Sequence, residues 1–398
     1  MKNTLEKYCT KKAVKNTAVV VPFIQVQPIC ICIPVHNEYP SFFSTLRSLH
    51  LSSLTYLAHQ KTKAVPVSII CCVNARNSDA VSIRENNAKM MYELKRLTMS
   101  EYNDHPLLNL IVLDCSSDDL LFNDTQGAGL ARKTAMDYAV LHGASVLACL
   151  DADTLVSSSY IYCLQAFFSN FMNVSPSSPS IASAWALTGF SHQRGAVEEE
   201  EKAVRIYEDY LLEHSSLLYR CGTPYYPVAL GPTIVCTAQA YAECGGMNTR
   251  CAGEDFYFLQ ALIKLHVHQD IVYLPCRVFP SSRISQRVPF GTGKKISEII
   301  EGNVCRVFEK TSYEILFKFI DIFKRTKNEN PMEDFFHEVS NNLSILMPFL
   351  EQDGFFQDWQ KIFITHHKSN RNLEYAFHDR FDGLKIIRMF HFLENTKQ

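Results

Sequence analysis

The stretch SVLACLDAD, residues 145–153, decides the fold class. Its first six residues form a short, largely apolar run, which is typical of a strand buried on both faces of a parallel sheet. Two carboxylates, Asp151 and Asp153, follow where this strand ends. Ligands bind open α/β sheets at the carboxyl ends of the strands. Asp151 and Asp153 are therefore the first candidate functional residues.

Three similar runs precede this stretch, at residues 29–35, 67–73 and 108–113. Helical patterns alternate with them, from Ser41 onward, over 83–99 and over 128–142. Repeated strand–helix–strand units predict right-handed crossovers and a mostly parallel, Rossmann-like sheet flanked by helices. Further along, a long helix is predicted over 196–219 and another strand over 271–274, and residues 175–180 are expected to form a loop.

The region from residue 294 to the end has a different character. Apolar residues recur there at helical spacing, in series such as Phe377, Phe381, Leu384 and Ile387, and Pro331 marks an expected helix start. We therefore expect an N-terminal extension over 1–27, an α/β domain over 28–293 and a helical C-terminal region over 294–398.

Composition excludes several classes of function. Lys and Arg total 39 against 41 Asp and Glu, so there is no basic excess for nucleic acid. Prolines and glutamines interrupt the apolar stretch over 17–35, which predicts strand and no transmembrane segment. The 14 cysteines include no Cys-x-x-Cys pair and favour a reduced, cytoplasmic chain. Aromatic residues near the C-terminus leave peripheral contact with the inner face of a membrane open.

The acidic pair suggests a metal. Two carboxylates one residue apart at the end of a buried strand suit Mg²⁺ or Mn²⁺, which take oxygen ligands and leave positions for phosphate oxygens. A solvated acidic turn is the alternative. Polar residues suited to a nucleotide follow two other strands, with Pro34, Asn37 and Glu38 after the first and Asn74 after the second.

A resemblance becomes specific when these segments are taken together. The segments are IPVHNE (33–38), GLARK (129–133), DAD (151–153), LGP (230–232), CGGM (244–247) and GED (253–255). Their order and spacing over about residues 28–290 resemble the family 2 glycosyltransferases. The resemblance implies a GT-A-type fold, a nucleotide-sugar donor and inversion at the anomeric carbon. On this resemblance alone, the expected donor is a UDP-sugar, with a GDP-sugar as the alternative. The resemblance does not indicate the acceptor.

The resemblance also implies roles for residues at the matching positions. Pro34, Asn37, Glu38 and Asn74 would contact the nucleoside, and Arg132 belongs to the donor side. Asp151 would hold the ribose or a metal-bound water, and Asp153 would bind the metal. Asp255 would be the general base, and Glu254 would orient the acceptor or the base. The alternative for Glu254 and Asp255 is a helix N-terminus, where acidic residues are favoured in any case.

A loop over 280–293 carries two further candidates, Arg283 and Arg287. Guanidinium groups match phosphate oxygens bidentately, so both arginines are expected to clamp the donor diphosphate. The alternative is a surface connector with solvated arginines.

The chain departs from the family pattern at three points. Asn74 stands where Asp is usual, Lys133 stands where Asn is commoner, and no Gln-x-x-Arg-Trp motif is present. The last point favours non-processive transfer of a single sugar. Three alternative hypotheses are a catalytically inactive nucleotide-binding or scaffold protein, a nucleotidyltransferase, and a dinucleotide oxidoreductase. The oxidoreductase is disfavoured because Arg132 occupies the third glycine position of its fingerprint.

Overall fold

The computed structural model describes residues 4–15, 17–22, 24–60, 63–102, 104–172, 183–267, 270–284, 291–327, 333–366 and 369–396. The loop expected at 175–180, the helix start expected at Pro331 and the candidate Arg287 lie outside these residues. The chain divides into two compact units. The sheet unit comprises Met1–Val204, Ala229–Leu262 and Asp270–Gly302, and the helical unit comprises Arg205–Val228, Ile263–Gln269 and Asn303–Gln398. The boundaries predicted at 27/28 and 293/294 stay predictions.

All strands of the described residues belong to one sheet in the sheet unit. They are β1 (Ala18–Val19), β2 (Ile29–Val35), β3 (Val67–Asn74), β4 (Leu108–Cys115), β5 (Val146–Cys149), β6 (Leu155–Val156), β7 (Trp185–Phe190), β8 (Ile234–Thr237) and β9 (Tyr273–Phe279). Their order across the sheet is β1-β4-β3-β2-β5-β8-β7-β9-β6. The strands β2, β3, β4, β5, β7 and β9 run in one direction, while β1, β6 and β8 run against it.

The helices begin and end as follows. They are α1 (Thr4–Lys11), α2 (Phe42–His59), α3 (Val81–Met99), α4 (Ala128–Leu141), α5 (Tyr160–Met172), α6 (Glu198–Arg220), α7 (Ala238–Glu243), α8 (Glu254–Leu265), α9 (Thr292–Ile300), α10 (Lys310–Thr326), α11 (Glu333–Asn342), α12 (Met347–Gln352), α13 (Phe355–His366), α14 (Asn370–Arg380) and α15 (Gly383–Asn395). Among these described elements, none is long and apolar enough to cross a bilayer.

The four central strands confirm the prediction made from their apolar runs. Every residue of β3 and β5 is buried, and β2 is buried except at Pro34. Such strands are stable only with both faces covered, and helices from the crossovers supply that cover. The predicted α/β class is confirmed, with a mostly parallel sheet flanked by helices and a helical C-terminal region. The antiparallel strand β8 between β5 and β7 was not predicted.

Two sequence predictions differ from the structure. The strand expected at 271–274 is β9, which begins at Tyr273 and continues to Phe279 because its pairing with β6 extends to that residue. The series from Phe377 to Ile387 is broken between α14 and α15. There the Asp382 carboxylate accepts hydrogen bonds from the backbone N–H groups of Leu384 and Lys385, at 3.1 and 3.2 Å, and starts a new helix.

The helical unit has a core of aromatic side chains. Phe319 packs against Phe335, Phe355, Phe377 and Phe381 with ring centroids 4.8 to 5.7 Å apart. Offset and edge-to-face pairs of this kind add to the stabilisation that apolar burial provides. Among the aromatic residues near the C-terminus, Phe355 and Trp359 are fully buried and belong to this core.

Candidate active site

A cavity of about 240 Å³ opens at the carboxyl ends of β2, β3 and β5. This is the edge of the sheet at which α/β folds bind ligands. Five of the site residues predicted from the sequence line it, namely Pro34, Glu38, Asn74, Asp151 and Asp153. His36, Arg76 and residues at the α4 N-terminus also line it. The lining residues are Pro34, His36, Glu38, Asn74, Arg76, Gly127, Ala128, Asp151, Ala152, Asp153 and Cys251.

The turn that carries Asp151 and Asp153 is held by side chains from elsewhere in the chain. The Thr45 hydroxyl donates to the carbonyl of Ala152 at 2.8 Å, and the Gln193 amide donates to the carbonyl of Asp153 at 2.7 Å. The Asp151 and Asp153 side chains remain 33% and 25% exposed. Both carboxylates are thus fixed by their backbone and open to the cavity.

A buried amide joins the ends of β2 and β3. Asn87 on α3 accepts a hydrogen bond from the Asn37 backbone N–H at 3.0 Å and donates to the Asn74 carbonyl at 2.8 Å. Asn37 has φ of 56°, the left-handed conformation that asparagine tolerates. Asn74 lines the cavity and donates its own amide to the Val35 carbonyl at 3.1 Å, whereas Asn37 is not among the lining residues. Asn87 was missed because one asparagine within a helix gives no sequence signal.

Two further polar side chains at the cavity, His36 and Arg76, were also missed. His36 Nε2 lies 2.8 Å from Asp79, and the Arg76 guanidinium contacts the same carboxylate at 3.2 Å. Burial acts to raise the pKa of Asp79, but the Arg76 backbone N–H and the His36 contact outweigh it and lower that pKa. His36 lies inside the quoted 33–38 segment, and Arg76 follows Asn74 by two residues, so proximity to a strand end was the available signal.

Arg132 contacts two other predicted site residues, Asp151 and Glu254. Its guanidinium Nη2 donates to Asp151 Oδ1 at 2.7 Å and lies 3.5 Å from Glu254 Oε1. Burial acts to lower the pKa of the guanidinium, but the two carboxylates outweigh it and raise that pKa. A Cβ at Gly231 would lie 2.8 Å from Arg132 Nη2, so a larger residue there would push against the guanidinium of the ion pair. Arg132 therefore ties the end of β5 to the start of α8.

Glu254 and Asp255 begin α8, as the helix-start alternative expected, and they also join the Arg132 cluster. Asp255 accepts hydrogen bonds from the Gly231 and Phe256 backbone N–H groups, at 3.1 and 2.8 Å. Burial raises the pKa of Glu254 to about 7 and also raises that of Asp255. Perturbed carboxyls are typical of acid–base sites, although neither Glu254 nor Asp255 is among the residues that line the cavity.

A close approach of backbones fixes α4 against the loop before α8. A Cβ at Gly129 would lie 2.4 Å from the Arg250 carbonyl and 2.8 Å from the Asn248 carbonyl. Only glycine fits there, which accounts for the first residue of the GLARK segment. Three residues later on the same helix, Arg132 reaches Glu254, so this contact sets the distance between α4 and the α8 carboxylates.

Arg283 lies across the acidic side of the cavity. Its Nη2 is 2.9 Å from Asp153 Oδ2, and it also pairs with Glu38. Burial acts to lower the pKa of the guanidinium, but the bond to Glu38 and the charge of Asp153 outweigh it and raise that pKa. The second predicted clamp, Arg287, lies outside the described residues.

The donor set available to a metal is small. Among the described residues, no group of three or more His, Cys, Asp or Glu side chains is placed to hold a metal ion. Asp153 and Asp151 offer carboxylate oxygens at the cavity wall, each with one oxygen bonded to an arginine. Mg²⁺ is commonly held by one or two carboxylates together with waters and substrate phosphates. The residues present fit an ion that a bound diphosphate completes.

Comparison with known proteins gives only distant likenesses. No protein-family model matches the chain, and no curated protein matches it. Among solved structures, S. aureus TarS residues 1–349 in complex with UDP-GlcNAc is similar at 13% identity and a TM-score of 0.39. The complex of the same protein with UDP is similar at 12% identity and a TM-score of 0.37. Each match covers 87% of this chain and 89% of that chain. A TM-score below 0.5 is too low to carry function from one chain to the other.

Proposed function

We propose that the protein is a metal-dependent glycosyltransferase that moves one sugar from a nucleotide-sugar donor to an acceptor hydroxyl, with inversion and without processive synthesis. One observation carries the proposal. The cavity at the strand ends is lined by Asp151 and Asp153, and Arg132 joins Asp151 to the buried carboxylate of Glu254 beside Asp255. Glu254 and Asp255 are not among the lining residues, and Arg132 connects Glu254 to the cavity wall through Asp151.

In the proposed reaction, residues of the protein would accept a proton and stabilise charge. The acceptor oxygen attacks the anomeric carbon, the bond from that carbon to the diphosphate oxygen breaks, and Asp255 takes the acceptor proton. General base catalysis of this kind contributes ~10²–10⁴ in rate. Burial raises the pKa of Asp255, which makes it a stronger base at neutral pH, and two backbone N–H groups fix its orientation.

Asp153, with Asp151 beside it, would hold Mg²⁺ or Mn²⁺. Such an ion, when bound, neutralises negative charge on a leaving diphosphate. Arg283 would then be free to contact the diphosphate itself, because guanidinium matches phosphate oxygens. Pro34, Glu38 and Asn74 would face the nucleoside. A UDP-sugar is the proposed donor.

The testing experiment is calorimetric titration of the purified protein with UDP and GDP, with Mn²⁺ and then with chelator. The proposal expects metal-dependent binding of UDP that disappears in Asp153→Ala and survives in Asp270→Ala, a change of the same kind outside the cavity lining. Folding of each variant is checked by circular dichroism. Absence of nucleotide binding by folded protein would contradict the proposal. Binding without turnover of any UDP-sugar would favour the scaffold alternative.

A further inference from the structure

A buried carboxylate on α4 accepts two of its hydrogen bonds from the N-terminal segment. Asp137 is fully buried, and its Oδ1 accepts hydrogen bonds from the Tyr8 and Tyr241 hydroxyls at 2.7 and 2.8 Å. Its Oδ2 accepts one from the Val14 backbone N–H at 2.8 Å and pairs with Lys133 Nζ at 2.8 Å. Tyr8 and Val14 lie in the region expected to be an extension. A buried charge that lost these donors would be strongly disfavoured.

Tyr8 on α1 is the centre of this cluster. Its side chain is buried, and its hydroxyl accepts a hydrogen bond from Lys133 Nζ at 2.6 Å while donating to Asp137. Lys133 is the residue that departs from the family pattern, and this contact gives its role. The tyrosine also fills the space over the turn at Gly246, where a Cβ would lie 2.0 Å from the Tyr8 hydroxyl oxygen. Gly246 has φ of 79°, so the turn conformation itself requires glycine.

The parts that Tyr8 joins lead directly to the proposed site. Lys133 is adjacent to Arg132 on α4, and Arg132 bonds Asp151 and approaches Glu254. The turn at Gly246 leads into Asn248, whose side-chain amide donates to the Glu254 carbonyl at 2.9 Å. Tyr8 thus lies between the helix that supplies the arginine, to which its hydroxyl is bonded, and the turn at Gly246, against which it packs ahead of the α8 carboxylates.

We infer that Tyr8 is a positioning residue for the transfer reaction, acting through Lys133 on α4 and through the Gly246 turn on Glu254. This inference rests on the proposed function. The N-terminal helix is accordingly part of the catalytic unit. Catalytic groups displaced by about 1 Å lose about 10² in rate, so a small shift of α4 against the turn is enough to matter.

The test is Tyr8→Phe, which keeps the ring over Gly246 and removes only the hydroxyl. Hydrolysis of UDP-glucose and UDP-GlcNAc with Mn²⁺ is the activity probe, because the acceptor is unidentified. We expect kcat to fall about tenfold or more, with KM for the donor within about twofold. Tyr225→Phe is the matched control, because it removes another buried tyrosine hydroxyl, which bonds the His378 carbonyl at 2.6 Å within the helical unit. Its kcat should stay near that of the parent protein.

Amide hydrogen exchange of peptides covering residues 245–256 supplies a readout that needs no turnover. Faster exchange there in Tyr8→Phe than in Tyr225→Phe supports the inference even if the parent protein hydrolyses neither donor, an outcome that would contradict only the proposed function. Unchanged kcat or unchanged exchange in folded Tyr8→Phe would overturn the inference. If Tyr8→Phe does not fold, Lys133→Gln weakens the same hydrogen bond from the α4 side, and its outcomes are judged in the same way.

Discussion

Replacing Arg283 by alanine should strengthen metal binding and weaken donor binding at the same time. In the free protein the guanidinium bridges Asp153 and Glu38, and Asp153 is the proposed metal ligand. A divalent ion must therefore displace one cation to bind. Arg283 is 36% exposed and Asp153 25% exposed, so solvent screens the pair and each contact is worth about 0.2–1 kcal/mol. Loss of both contacts corresponds to about 0.4–2 kcal/mol, or a factor of about 2–30 in affinity.

The assay is Mn²⁺ titration by calorimetry or electron paramagnetic resonance, first without nucleotide and then with UDP. Arg283→Ala should bind Mn²⁺ about 2–30-fold more tightly without nucleotide and UDP–Mn²⁺ less tightly than the parent protein. Arg283→Lys retains the charge and should fall between the two. Arg277→Ala, an exposed arginine on β9, is the control and should change neither affinity. The reasoning fails if Mn²⁺ affinity in Arg283→Ala stays at the parent value while Asp153→Ala abolishes binding.

Three other predictions concern the α8 carboxylates and the approach of α4. Asp255→Asn should lower donor turnover by ~10²–10⁴ while UDP affinity by calorimetry stays unchanged; equal loss of both would assign Asp255 to binding. Because burial raises the pKa of Glu254 to about 7, kcat should fall as the pH drops through 7 and Glu254 becomes protonated. In a pH 5–9 profile of kcat, Glu254→Gln should remove this decrease on the acidic side. A decrease that occurs only at the usual pKa of a carboxyl group would contradict this prediction. Gly129→Ala places a Cβ 2.4 Å from the Arg250 carbonyl and should cost about 1–3 kcal/mol in urea unfolding, whereas Gly127→Ala, with its nearest contact at 3.3 Å, should cost less.

The sequence by itself determined the central sheet and the position of the acidic pair. Apolar runs such as residues 29–35 and 67–73 can be stable only as buried strands, so their fold class and their polar ends follow from composition and spacing. The same reasoning placed Glu38, Asn74, Asp151 and Asp153 at the carboxyl edge, where all four line the cavity. The local pattern was sufficient to predict β2, β3, β4 and β5 because each of these strands has its own apolar run.

Tertiary structure alone decided which distant residues meet. Arg132 and Glu254 are 122 positions apart, and Arg283 and Glu38 are 245 apart, so no periodicity could pair them. The pairing of Arg132 with Glu254 depends on close packing at Gly129, a glycine within a predicted helix that gives no sign of this contact in the sequence. The burial of Tyr8 likewise follows from the space over Gly246, which exists only once α4 and the turn have packed together. Sequence pattern specifies elements, whereas contacts between elements depend on shape complementarity that forms on folding.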